Sequence, residues 1–80
     1  MRLLKVAEVE AALEQAVTLD PNGFFPHFRL GELYLRIGVN TRAREELSRA
    51  MDLSTSVEQS EMVVRLLQIE TQRSHRRSRP

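Results

Sequence analysis

Apolar positions recur every three or four residues along most of the chain, and nowhere alternate long enough to read as a strand. Leu3, Val6, Val9, Leu13, Ala16 and Val17 form one stripe over residues 3–19, with Glu8, Glu10, Glu14 and Gln15 mostly off it. Phe24, His27, Phe28, Leu30, Gly31, Tyr34, Leu35 and Ile37 form a second. Ala43, Leu47, Ala50 and Met51 form a third that Leu53 closes, and Met62, Val63, Leu66, Leu67 and Ile69 form a fourth. The pattern predicts an all-α chain of four helices, over about 3–19, 25–37, 41–53 and 56–71.

The breaks between stripes carry their own chemistry. Asp20-Pro21-Asn22-Gly23 is a turn: Pro21 cannot continue a helix, and Asn22-Gly23 takes positive φ cheaply. Pro26 fits a first helical turn, where its missing N–H would be unpaired anyway. Gly38 suits the left-handed position that ends a helix, after which Asn40 or Thr41 is expected to cap the third helix. Thr55-Ser56-Val57-Glu58 has the pattern of a capping box, with Ser56 to Gln59 as an overlapping option. Gly31 and Ala43, one small residue on each of two neighbouring helices, predict a close crossing in a central antiparallel hairpin.

Composition narrows the class. Eighty residues make one small domain, able to bury only about 60% of its unfolded surface. Without cysteine there is no disulfide or thiolate-bound metal to staple it. The net charge of +1 hides a split. Residues 73–80 hold Arg73, Arg76, Arg77 and Arg79 and no acid, leaving residues 1–72 with eight bases against eleven acids, a net of −3. A folded helical domain over 1–72 with a basic, disordered tail over 73–80 is expected. No run approaches the ~20 apolar residues of a membrane span, and Glu8 and Glu10 interrupt the N-terminus before a signal peptide could form. A soluble cytoplasmic protein is the default expectation.

A shift of 34 residues superposes the first stripe on the third: Leu3 on Ile37, Val9 on Ala43, Leu13 on Leu47, Ala16 on Ala50, Val17 on Met51, Leu19 on Leu53. With Leu30, Gly31 and Tyr34 in the second helix, Gly38 at the turn, Ala43, Leu47 and Ala50 in the third, and Pro21 in Leu19-Asp20-Pro21-Asn22, the chain resembles the tetratricopeptide repeat family. The resemblance covers one complete repeat, a preceding half repeat and a C-terminal capping helix. It departs from the pattern at His27, where the family usually has Trp, at Leu47, often aromatic, and at Thr55, where Pro closes the repeat. Glu61, Val64, Arg65 and Gln68 replace the signature in the fourth helix, which therefore reads as a cap. The implied architecture is a fragment of a right-handed superhelical solenoid of α-α hairpins. Such repeats bury their faces against neighbours. The first helix, open on one side, thus implies a longer repeat array, a homodimer, or marginal stability alone.

The resemblance implies a protein-interaction or scaffold module without catalysis, binding a partner protein or peptide. Carried over residue by residue, its groove-facing positions are Phe25, Phe28, Glu32, Leu35 and Arg36. The competing reading packs these aromatics on the first helix or on a dimer mate. Glu32 and Arg36 are spaced as an exposed ion pair. His27, alone in an aromatic slot, reads as a packed, hydrogen-bonded residue. No His/Asp/Glu set has metal-ligand spacing, and neither a nucleophile elbow nor a phosphate loop is present, so no enzyme, metal or cofactor is expected. The alternative function uses the arginine tail to bind nucleic acid or another acidic surface. The tail has no aromatic to stack on bases, which argues against single-strand recognition.

Overall fold

The computed structural model describes residues 2–77, with side chains over 5–72. It contains four helices, α1 (Arg2–Leu19), α2 (Phe24–Arg36), α3 (Asn40–Leu53) and α4 (Val57–Arg77), and no strand among the described residues. Among the described residues each helix packs on the next, α2 also touches α4, and the backbone of α1 comes close to α2 alone. Short connections make sequential neighbours antiparallel. The central helix is therefore α2, with neighbours on three sides.

The turns explain the boundaries. After α2, Gly38 takes φ +82°, its N–H donates to Leu35 O at 3.3 Å, and the Val39 N–H donates to Tyr34 O at 2.9 Å. This pair of bonds is a Schellman motif, and it pairs carbonyls that the helix end would otherwise leave unpaired. Gly23 behaves differently from expectation. Its φ is −86°, so it does not use positive φ; instead a Cβ there would run into the Asp20 carboxylate. Val39, not Asn40 or Thr41, stands at the cap of α3, and no side chain caps that end. Of the two overlapping capping boxes, the Ser56–Gln59 option forms. Ser56 Oγ accepts from the Gln59 N–H at 3.1 Å, while Gln59 Oε1 accepts from the Thr55 N–H at 2.9 Å.

The fourth helix corrects the expected boundary at 71 and the disordered tail. It continues to Arg77, so residues 73–77 are helical. No glycine or proline interrupts residues 57–77, and basic residues in a last turn favour the helix dipole. Lack of an apolar face beyond residue 71 does not end the helix. A helix continued from a docked start does not need one. Arg79 and the side chains of Arg73, Arg76 and Arg77 lie outside the described residues.

Two clusters form the core. Phe24 and Phe28 of α2 pack with Leu47 and Ala50 of α3 and Val63 of α4. Leu30, Tyr34 and Leu35 pack with Ala43, and Leu13 and Val17 of α1 close over them. Leu66 of α4 joins both clusters. Between α2 and α3 the approach is very close: a Cβ on Gly31 would lie 2.7 Å from Leu47 Cγ and 3.3 Å from Ala43 O. Glycine is there to let the helices touch.

Candidate interaction groove

Where α1 meets α2 the surface opens into a groove of about 260 Å3, lined by Val9, Leu13, Arg29, Glu32, Leu33 and Arg36. The apolar side chains form its floor. Val9 is 46% exposed, high for a valine on the same face as a core-packing leucine. Glu32 sits between two guanidinium groups, 3.2 Å from Arg29 and 3.9 Å from Arg36. One carboxylate against two cations leaves the rim with a net positive charge. Among the described residues no group of three or more His, Cys, Asp or Glu could hold a metal ion, and no helix is long and apolar enough to cross a membrane.

The 34-residue period gives this groove a counterpart. Adding 34 to its lining residues gives Ala43, Leu47, Val63, Leu66, Leu67 and Glu70. These belong to α3 and α4; four of the six are buried, and Leu66 and Leu67 are partly buried. Ala43, Leu47 and Val63 are fully buried and Glu70 is 3% exposed. What covers them includes α2: Ala43 packs with Leu30, Tyr34 and Leu35, and Leu47 and Val63 pack with Phe24 and Phe28. The open groove between α1 and α2 is thus the internal-repeat equivalent of the seat that α2 fills between α3 and α4.

This geometry sorts the five groove candidates of the sequence. Glu32 and Arg36 line the groove. Phe28 and Leu35, at 4% and 3% exposure, are in the core and face α3 and α4 rather than a partner. Phe25 is half exposed, its ring edge-on to Phe24 at 5.0 Å, and is not part of the groove lining. The helix α2 has apolar residues on more than one face, and its third neighbour, α4, covers part of them, a contact that sequence spacing alone does not reveal. Among the repeat positions, Tyr34, Ala43, Leu47 and Ala50 are buried, and Pro21 is exposed in the turn.

Three polar clusters tie neighbouring helices together. His27 is buried, with Nδ1 2.8 Å from Glu46 Oε1 and Nε2 2.8 Å from Pro21 O. It ties the α1–α2 turn to α3 through α2, so the packed, hydrogen-bonded role expected of it is the one it has. Tyr34 Oη lies 2.9 Å from Glu10 Oε2 and 3.0 Å from Glu14 Oε2, linking α2 to α1. Arg44 and the buried Glu70 pair at 3.4 Å across α3 and α4. The acids at 10, 14, 46 and 70 escaped the sequence reading because they lie off the stripes. Their partners lie 19 to 26 residues away on other helices, so no local spacing marks them.

Burial first, and the two carboxylates second, push the Tyr34 phenol well above its ordinary value near 10. A raised folded-state pKa means that the neutral phenol is the stabilised form. Its contribution is complete below pH about 10 and is lost as pH rises from there toward the folded-state value. Urea midpoints measured from pH about 8 upward are expected to fall more steeply in the parent chain than in Tyr34→Phe. Equal alkaline slopes would remove Tyr34 as the cause. Tyrosinate absorbance reports this residue alone, since the chain has one tyrosine.

Compared with models of protein families, with curated proteins and with solved structures, the chain matches none.

Proposed function

We propose that the chain is a tetratricopeptide-like, non-catalytic interaction module that takes a partner's helix into the groove between α1 and α2. The observation that carries this reading is the equivalence of that groove, through the 34-residue period, to the seat that α2 occupies. A surface that accepts a helix in one copy of a repeat is shaped to accept one in the next. Further support comes from the tight crossing at Gly31, the glycine turn at Gly38 and the joint spacing of the repeat residues. The role is that of a scaffold, without a cofactor, with α2 presenting Arg29, Glu32, Leu33 and Arg36 to the incoming helix.

The reading differs from a peptide held on Phe28 and Leu35, whose side chains are spent on the core. It is tested by panning a displayed library of peptides about 18 residues long against the immobilised chain, a length that spans five helical turns. Enrichment of sequences apolar at i, i+3, i+4 and i+7 is expected, and Val9→Glu should abolish it while leaving the circular dichroism unchanged. Enrichment without helical spacing, or equal recovery on Val9→Glu, would end the proposal.

A further inference from the structure

Building on that groove reading, we infer that the partner helix has a small residue, Gly or Ala, at its crossing with α1 and acidic residues along the edge that meets α2. The first requirement comes from Leu13. Its repeat equivalent is Leu47, and the helix over Leu47 must be glycine at the contact, because a Cβ at Gly31 would lie 2.7 Å from Leu47 Cγ. The same leucine at the same place on α1 imposes the same restriction on whatever lies over it. Ala12 and Ala16 beside it add no bulk that would hold a partner helix away.

The second requirement comes from charge. At the positions equivalent to Arg29, Glu32 and Arg36, the occupied seat presents Val63, Leu66 and Glu70 to its surroundings, and the buried Glu70 is paired with Arg44. In the open groove two arginines share one carboxylate. Arg29 and Arg36 have side chains 53% and 76% exposed, and they lie seven residues apart, two turns along one face of α2. An incoming helix that carried lysines there would meet uncompensated like charge. One carrying glutamates about two turns apart would complete the rim.

The chain's own α4 does not meet this description. It stands in the repeat where α2 does, but Arg65 replaces Gly31 at the crossing position. A second copy offering α4 would bring the bulkiest kind of side chain to the place that tolerates only the smallest. The geometry therefore points to a helix other than α4, one with a small residue at the crossing and acids along the edge that meets α2.

Three synthetic peptides test this by fluorescence anisotropy at low salt. All carry the apolar spacing of α2; the first has a central glycine with two glutamates seven residues apart on one flank. In the second, lysines replace those glutamates. In the third, leucine replaces the glycine. The glutamate peptide is expected to bind about tenfold or more tightly than the lysine peptide, and the leucine peptide to bind no better than a scrambled control. In the chain with Arg29→Glu and Arg36→Glu together, the order of the first two should reverse, a result that mere loss of folding cannot give. Equal affinities, an order unchanged by charge reversal, or full binding of the leucine peptide would overturn the inference. So would a concentration-dependent dimer that Val9→Glu dissociates and that excludes all three peptides, because a second copy would then fill the groove. If displayed libraries yield helices without acid or glycine preference, the inference fails and the groove reading stands; if they yield no helices, both fall.

Discussion

Gly31→Leu is expected to destabilise the fold by about 3 kcal/mol, the upper end of the usual cost of overpacking. On a solvated helix surface, replacing glycine would stabilise by up to about 1 kcal/mol through propensity alone. Here the sign reverses. The nearest obstacle to a new Cβ is Leu47 Cγ, the branch point of a side chain with no exposed surface and no free direction to retreat. Only a shift of α2 away from α3 relieves the clash, and that shift opens both core clusters. Thermal melts of Gly31→Ala and Gly31→Leu should fall in that order below the parent. A melt of Gly31→Leu that matches the parent would place the crossing elsewhere. Combining Gly31→Ala with Leu47→Ala should cost less than the two changes do separately, since truncating the leucine makes the room that the new methyl needs.

His27→Leu ranks beside it, at about 2–4 kcal/mol, although leucine is close in volume and more apolar. The loss is of partners, not of packing. Pro21 O and the Glu46 carboxylate are both acceptors 2.8 Å from a ring nitrogen; a protonated ring donates to both, a neutral ring to one. With leucine in place, a carbonyl and a mostly covered carboxylate stand without a donor, and each such group costs about 1–3 kcal/mol. Chemical denaturation of His27→Leu, Glu46→Gln and the double variant decides the matter. A double variant about as stable as His27→Leu alone would show that the two residues act as a unit. Simple additivity would show that the 2.8 Å contact between them contributes little.

What was legible in the chain was local. The four helices, the turn at Gly38 and the crossing at Gly31 follow from spacing and from single residues whose conformational limits are severe. The illegible part depended on how many neighbours each helix has. Phe28 and Leu35 enter as groove residues through the repeat resemblance, and the apolar surface of α2, more than one neighbour requires, agrees with it in part; α4, touching the same helix, accounts for the excess. Val9 and Leu13 were legible as an apolar stripe but not as a groove, since that distinction rests on what is absent beside them. Glu32 and Arg36 enter as groove positions through the repeat resemblance, whereas Arg29, which bonds the same carboxylate more closely, has no place in that set. The end of α4 was misplaced because a helix was expected to stop where its buried face stops.

The contact order of the helices also bears on how the molecule opens. Among the described residues α1 has backbone contacts with α2 alone, so detaching it breaks one helix–helix interface and leaves the other three whole. It can therefore unzip as a separate unit, at a lower free energy than the whole, with α2–α4 still assembled. Since α1 supplies one wall of the groove, the site is complete only in the fully closed population. A helix that binds there then does more than occupy a surface: it fastens the least secured quarter of the fold.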